Sequence, residues 1–141
     1  MAELDEFHLF VGETSMSCQC IERDIKYIYA GMAKGDFDIN FAKIAGQPLG
    51  PVLKKLNILD HSDGKPYLSG EDYKLLDEIR DIRNHWAHQA YTEFVYCNGT
   101  DYEVKFGKEF RRLQNDHNRL SKLSANIERV RLEVLRKYGR I

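Results

Sequence analysis

The sequence predicts an all-α protein: an antiparallel four-helix bundle with a small β-hairpin before the last helix. Three observations support this. Apolar residues recur at alternating three- and four-residue spacing over several long stretches. Neither Pro nor Gly interrupts residues 108–138. Turn-forming residues cluster in short segments, near 35–50 and 60–66, that suit links between adjacent helices.

Residues 3–11 offer Leu4, Phe7, Phe10 and Val11 ahead of Gly12, and read as a short docking segment. From about Thr14, the seam Cys18, Ile21, Ile25, Ile28 and Met32 marks the first long helix, ended by Lys34-Gly35. Tyr27 and Tyr29 flank that seam as packing residues. Residues 35–50 read as a connection, because Gly35, Asp36, Asp38, Gly46, Pro48 and Gly50 break any period. A shorter helix follows from about Pro51 through Val52, Leu53, Leu56 and Leu59. His61 falls in the next loop without an assigned role.

Ser69 with Asp72 three residues on has the spacing of a capping box, and Leu68 and Tyr73 fit a hydrophobic staple across it. This third helix carries a stripe of Leu75, Ile79, Ile82, Trp86 and Ala90, and fades near Tyr91 or Phe94. Between Glu93 and Phe106, β-branched and aromatic residues surround Asn98-Gly99, a hairpin signal. The rival reading is a helix that continues to Tyr96 before a loop. The last helix keeps near-heptad spacing at Leu113, Leu120, Leu123, Ile127, Val130 and Val134, and His117 reads as a satisfied histidine of that seam.

At 141 residues the chain reads as one domain, 1–141, with enough length for a core without staples. No apolar run approaches membrane-spanning length and the acidic start is unlike a signal peptide, so a cytoplasmic protein with no membrane partner is expected. Cys18, Cys20 and Cys97 suit neither a disulfide framework nor a zinc knuckle and read as reduced thiols. Net charge is −1, but residues 1–106 hold 11 Lys/Arg against 18 Asp/Glu, and residues 107–141 hold 10 against 4. A basic helix on an acidic body suits a nucleic-acid partner or a merely solvated face. Arg111, Arg112, Arg119 and Lys122 are the candidate RNA contacts.

The stretch Arg83-Asn84-His85-Trp86-Ala87-His88 holds the only Trp and two of the five His. Asp77, Asp81, Asn84 and His88 lie opposite the apolar stripe, with Arg83 at its edge. Arg83 and His88 then stand about 140° apart on a regular helix. If both act on one ligand, the helix must end or unwind between them, or a second copy of the chain must complete the site. Imidazole can move a proton near neutral pH and guanidinium can stabilise phosphate oxygens, a pairing suited to a phosphodiester. RNA brings its own nucleophile in the ribose hydroxyl, so this chemistry needs no metal or other cofactor. His85 and His88 resemble a metal pair by spacing, but no third ligand supports one and no metal site is assigned.

Arg83-Asn84 followed by His88 resembles the Arg-x(4-6)-His signature of the HEPN superfamily, in which Asn commonly follows the Arg. The layout is similar as well: a long first helix, Leu49-Gly50 at the entry to the second, the motif late in the third, and a long final helix. The resemblance implies a four-helix bundle that dimerises with its motifs facing each other. It further implies a metal-independent endoribonuclease of toxin or antiphage-defence type, with Arg83, Asn84 and His88 catalytic and RNA as substrate. A minimal nucleotidyltransferase would be a candidate antitoxin. The sequence departs from the Arg-x4-His-x-Tyr form of those toxin pairs, because Ala90 holds the Tyr position and Tyr91 follows it. Nucleotide transfer to a Tyr is therefore not implied. A non-catalytic module that binds nucleotide or RNA or anchors a partner, and a purely structural helical domain, are the alternative readings.

Overall fold

The computed structural model describes residues 2–140, in which five helices follow one another: α1 (Ala2–Met32), α2 (Phe37–Ile44), α3 (Leu49–His61), α4 (Gly70–His88) and α5 (Gly99–Lys137). No strand occurs among the described residues. The all-α expectation holds, whereas three local expectations do not.

The β-hairpin expected between Glu93 and Phe106 is absent. After α4, successive turns run to Tyr96, and Asn98-Gly99 opens α5 where a hairpin turn was expected. Gly99 has φ +56°, compatible with either use, so packing decides between them. Tyr102, Phe106 and Phe110 recur at helical spacing. Tyr102 and Phe106 stack at 5.9 Å, and Phe106 meets Phe94 at 5.1 Å. Val95, Tyr96 and Val104 are exposed, so the two would-be strands have no common apolar face to bury. The rival reading of a helix continuing to Tyr96 also fails, because α4 stops at His88.

The second difference is at the start of the chain. Residues 3–11 are not a separate docking segment but the first turns of α1, which passes through exposed Gly12 without interruption. A fifth helix, α2, lies inside the expected connection. Asp36 caps it by accepting from the Ile39 amide at 3.0 Å. The Tyr27 ring stacks on Phe41 at 4.8 Å, and Asn40 donates to the carbonyls of Ala30, Ala33 and Lys34 at the end of α1. Gly35, at φ +101°, makes the turn into α2. The breakers thus bracket a helix of eight residues, too short for its period to show in sequence.

The chain divides into two compact units, Met1–Cys18 with Glu78–Lys122, and Gln19–Asp77 with Leu123–Ile141. The core of the first centres on Phe7, fully buried, whose ring meets those of Trp86, Tyr91, Phe94, Phe106 and Phe110 within 6.2 Å. Edge-to-face geometry dominates, the arrangement that aromatic quadrupoles favour. Ile21, Ile25 and Ile28 of α1, Val52 and Leu56 of α3, and Ile127, Val130 and Val134 of α5 are buried in the second unit. There Asp24 is buried, with Arg131 Nε at 3.4 Å. Burial pushes its carboxyl up, and the two neighbouring arginines, Arg131 and Arg23, partly oppose that shift.

Ser69 and Asp72 form the expected capping box: the Asp72 amide donates to Ser69 Oγ at 3.0 Å, and the Ser69 amide to Asp72 Oδ2 at 2.9 Å. The entry to α4 is fixed from α3 as well. Buried Asp60 accepts from the amides of Tyr67 and Leu68 at 2.7 and 3.2 Å, and from the Tyr73 hydroxyl at 2.7 Å. Burial, then the adjacent Asp60, hold the Tyr73 phenol well above its ordinary pKa of 10.0. A raised acid of this kind contributes stability that is complete below its unfolded pKa and is lost progressively as pH rises from there through the folded value. The hydrogen bond therefore persists across the neutral range. Asp60→Ala strands three donors and is expected to lower unfolding free energy by roughly 2–4 kcal/mol in urea titration. Tyr73→Phe should cost about 1 kcal/mol and remove part of the alkaline loss of stability.

Candidate functional site

One face of α4 is fixed and the opposite face is open. Leu76, Ile79, Ile82 and Trp86 are buried, with Ala90 just past the helix end, whereas Asp77, Asp81, Asn84 and His88 are exposed. The stripe runs through Leu76, with the expected Leu75 only half-buried. Because apolar side chains recur every third or fourth residue, burial at Trp86 forces Asn84 and His88 outward.

Two hydrogen bonds join this face to α5. His85 Nε2–H donates to Glu109 Oε2 at 3.0 Å, and Trp86 Nε1–H donates to Asp116 Oδ2 at 2.8 Å; all four residues are buried. Each carboxylate also meets an arginine. Arg112 lies 3.9 Å from Glu109 and 5.8 Å from the Trp86 ring centre, and Arg119 lies 3.6 Å from Asp116 and 3.1 Å from Glu78. Glu109 and Asp116 were missed in the sequence, although a signal exists. They fall in the phase of Leu113 and Leu120, so the seam of α5 carries two carboxylates opposite a His and a Trp.

The motif residues occupy distinct settings. Arg83 is half-buried and interacts within the protein. Asn84 and His88 are exposed, and among the described residues neither side chain has a hydrogen-bond partner. α4 remains helical from Arg83 through His88, and the Gln89 amide still reaches the His85 carbonyl at 2.7 Å. The structure therefore removes one of the two ways for Arg83 and His88 to cooperate: the helix does not unwind between them, and they keep a divergence of about 140°. Past the helix end, the Tyr91 hydroxyl and His8 Nδ1 share a 2.6 Å hydrogen bond, and burial pushes the Tyr91 phenol up.

Arg111, Arg112, Arg119 and Lys122 lie within a sector of about 100° on α5. Arg112 and Arg119 have their charge engaged by the buried carboxylates, whereas Arg111 and Lys122 are exposed and make no ion pair among the described residues. Arg111 borders a cleft of about 320 Å³ with Glu3, Leu4, Tyr102, Glu103, Phe110 and Gln114. A second cleft, of about 250 Å³, is lined by Glu93, Lys105, Lys108, Glu109 and Arg112. Neither includes Arg83, Asn84 or His88.

His117 is satisfied, as its place in the seam suggested: it stacks on Phe10 at 4.4 Å and meets Glu13 Oε2 at 3.2 Å. His61 bonds the Asn57 carbonyl at 2.9 Å. Cys18, Cys20 and Cys97 are free thiols. Among the described residues no helix is long and apolar enough to cross a membrane, and no group of His, Cys, Asp or Glu is arranged to hold a metal ion.

In comparisons with known proteins, no family model, no curated protein and no solved structure matches this chain.

The joint between α4 and α5 has a measurable role. Glu109→Ala and Asp116→Ala each leave a buried donor unpaired and are expected to cost about 1–3 kcal/mol in urea unfolding. His88→Ala and Asn84→Ala, on the open face, should change stability by no more than about 0.5 kcal/mol. Equal losses at the buried and the open positions would contradict the assignment of faces.

Proposed function

We propose that the chain is a metal-independent endoribonuclease of HEPN type, working as a homodimer whose cleft takes Arg83 from one protomer and His88 from the other. One observation carries this reading. α4 presents Asn84 and His88 on an open face, without internal partners, while an unbroken helix turns Arg83 about 140° away from His88. Solvated polar residues need no ligand by themselves. An Arg-Asn pair followed by His at this spacing, at the end of a helix anchored by Trp86, does suit a phosphodiester shared across a two-fold axis.

In this mechanism His88 moves the proton and Arg83 stabilises charge on the phosphorane oxygens. The ribose 2'-hydroxyl attacks phosphorus, the bond to the 5'-oxygen of the next nucleotide breaks, and that oxygen takes a proton. The products are a 2',3'-cyclic phosphate and a 5'-hydroxyl. Asn84, one turn before His88, holds a phosphate oxygen or orients the imidazole. Arg111 and Lys122 supply RNA affinity independent of base sequence.

Incubation with RNA in excess chelator should yield cyclic-phosphate ends. His88→Ala and Arg83→Ala should each lower turnover by about a hundredfold or more, with circular dichroism unchanged. Arg83→Lys should fail too, because a point charge lacks the planar fork. Cleavage that survives loss of His88 overturns the mechanism. A folded dimer inactive on every RNA tested would favour a non-catalytic RNA-binding module.

The dimer has its own test. Sedimentation at micromolar concentration should give twice the chain mass, and Asp81→Arg on the open face of α4 should shift it towards monomer; a monomer at all concentrations contradicts the shared cleft. Replacing both Arg111 and Lys122 with Gln should reduce the slope of log affinity against log salt by about 1–2. The same change at Arg112 and Arg119 should chiefly lower stability, since those charges are engaged by buried carboxylates.

A further inference from the structure

A cleft of about 340 Å³ in the second unit is walled by the end of α1, by α2 and by α3: Tyr29, Ala33, Lys34, Asn40, Lys43, Ile44, Lys55 and Leu59 line it. Three of these eight residues are lysines and none is a carboxylate. The lysine side chains are exposed, and among the described residues none makes an ion pair or a hydrogen bond.

A lysine just past a helix end, as Lys34 is past α1, ordinarily interacts with the last carbonyls of that helix. Here those carbonyls are already taken. Asn40 donates to Ala30, Ala33 and Lys34 at 3.1–3.3 Å, and Arg140 donates to Gly31, Ala33 and Gly35 at 2.9–3.4 Å. Of the acids nearest in sequence, Asp36 caps α2 and Asp60 holds Tyr67, Leu68 and Tyr73, while exposed Asp38 is outside the lining of the cleft. Three ammonium groups thus stand around one concavity with no carboxylate in its lining and no ion pair of their own among the described residues. Their mutual repulsion is relieved by an anion that spans them.

We propose that this cleft binds a compact ligand bearing two or three linked phosphates. Three separate ammonium groups suit a polyphosphate better than a single phosphate, because each can take a different phosphoryl group. The floor of Tyr29, Ile44 and Leu59 supplies apolar surface for whatever the phosphates are attached to. The cleft of about 250 Å³ in the first unit does not qualify, because Glu93 and Glu109 there offset Lys105, Lys108 and Arg112. The site lies apart in sequence from Arg83, Asn84 and His88 and does not depend on the ribonuclease reading.

Calorimetric titration of the full chain with inorganic tripolyphosphate, and separately with ATP, tests the proposal. Both should bind saturably at one site per chain, and orthophosphate should bind at least about tenfold more weakly. Lys43→Gln and Lys55→Gln should each weaken tripolyphosphate about tenfold, a typical loss for one charge-assisted bond. Lys54→Gln, an exposed lysine of the same helix outside the cleft, should leave binding unchanged, as should His88→Ala. No saturable binding, or an equal loss from Lys54→Gln, overturns the proposal. Circular dichroism confirms that each variant is folded.

Discussion

The joint between α4 and α5 in the first unit constrains everything said about the motif. Trp86 sits in an apolar stripe while its indole N–H is held by a buried carboxylate, and His85 beside it is held by another. An α-helix so pinned cannot roll about its axis without unpairing two buried carboxylates, each costing on the order of 1–3 kcal/mol. The rotational phase of α4 is therefore fixed, and with it the outward direction of Asn84 and His88. The last turn of α4 stays helical, so Arg83 and His88 diverge.

Much of this was legible in the sequence because it rests on period and caps. The capping box at Ser69 and Asp72, the seam from Leu113 to Val134 and the outward placement of Asp81, Asn84 and His88 follow from local rules, and all are present. Local rules failed where long-range packing decides. Asn98-Gly99 carries a strong hairpin signal, yet a helix buries Phe106 against Phe7 and Phe94, which no neighbour in sequence announces. α2 escaped notice because its stability comes from Asp36, Asn40 and the Tyr27 ring more than from a stripe of its own. Glu109 and Asp116 were hidden by counting charge along α5 when their phase was the informative quantity.

Charge in this protein is arranged by local use more than by net balance. Two of the four basic residues singled out on α5 neutralise buried carboxylates, which leaves Arg111 and Lys122 for any partner. In the second unit the reverse holds: Asn40 and Arg140 satisfy the end of α1, and Lys34, Lys43 and Lys55 remain uncommitted around a concavity. A count of basic residues would have ranked these two regions the other way round.

The shared-cleft account stands or falls on whether Arg83 of one chain works with His88 of another. Mixing the two inactive variants, Arg83→Ala and His88→Ala, under conditions that let protomers exchange, tests this directly. Random exchange makes about half the dimers mixed, and each mixed dimer has one cleft with both residues intact, so ribonuclease activity should return to roughly a quarter of the native level. If the mixture stays as inactive as its components while exchange is verified by mass, Arg83 and His88 do not meet across the axis, and the account is contradicted.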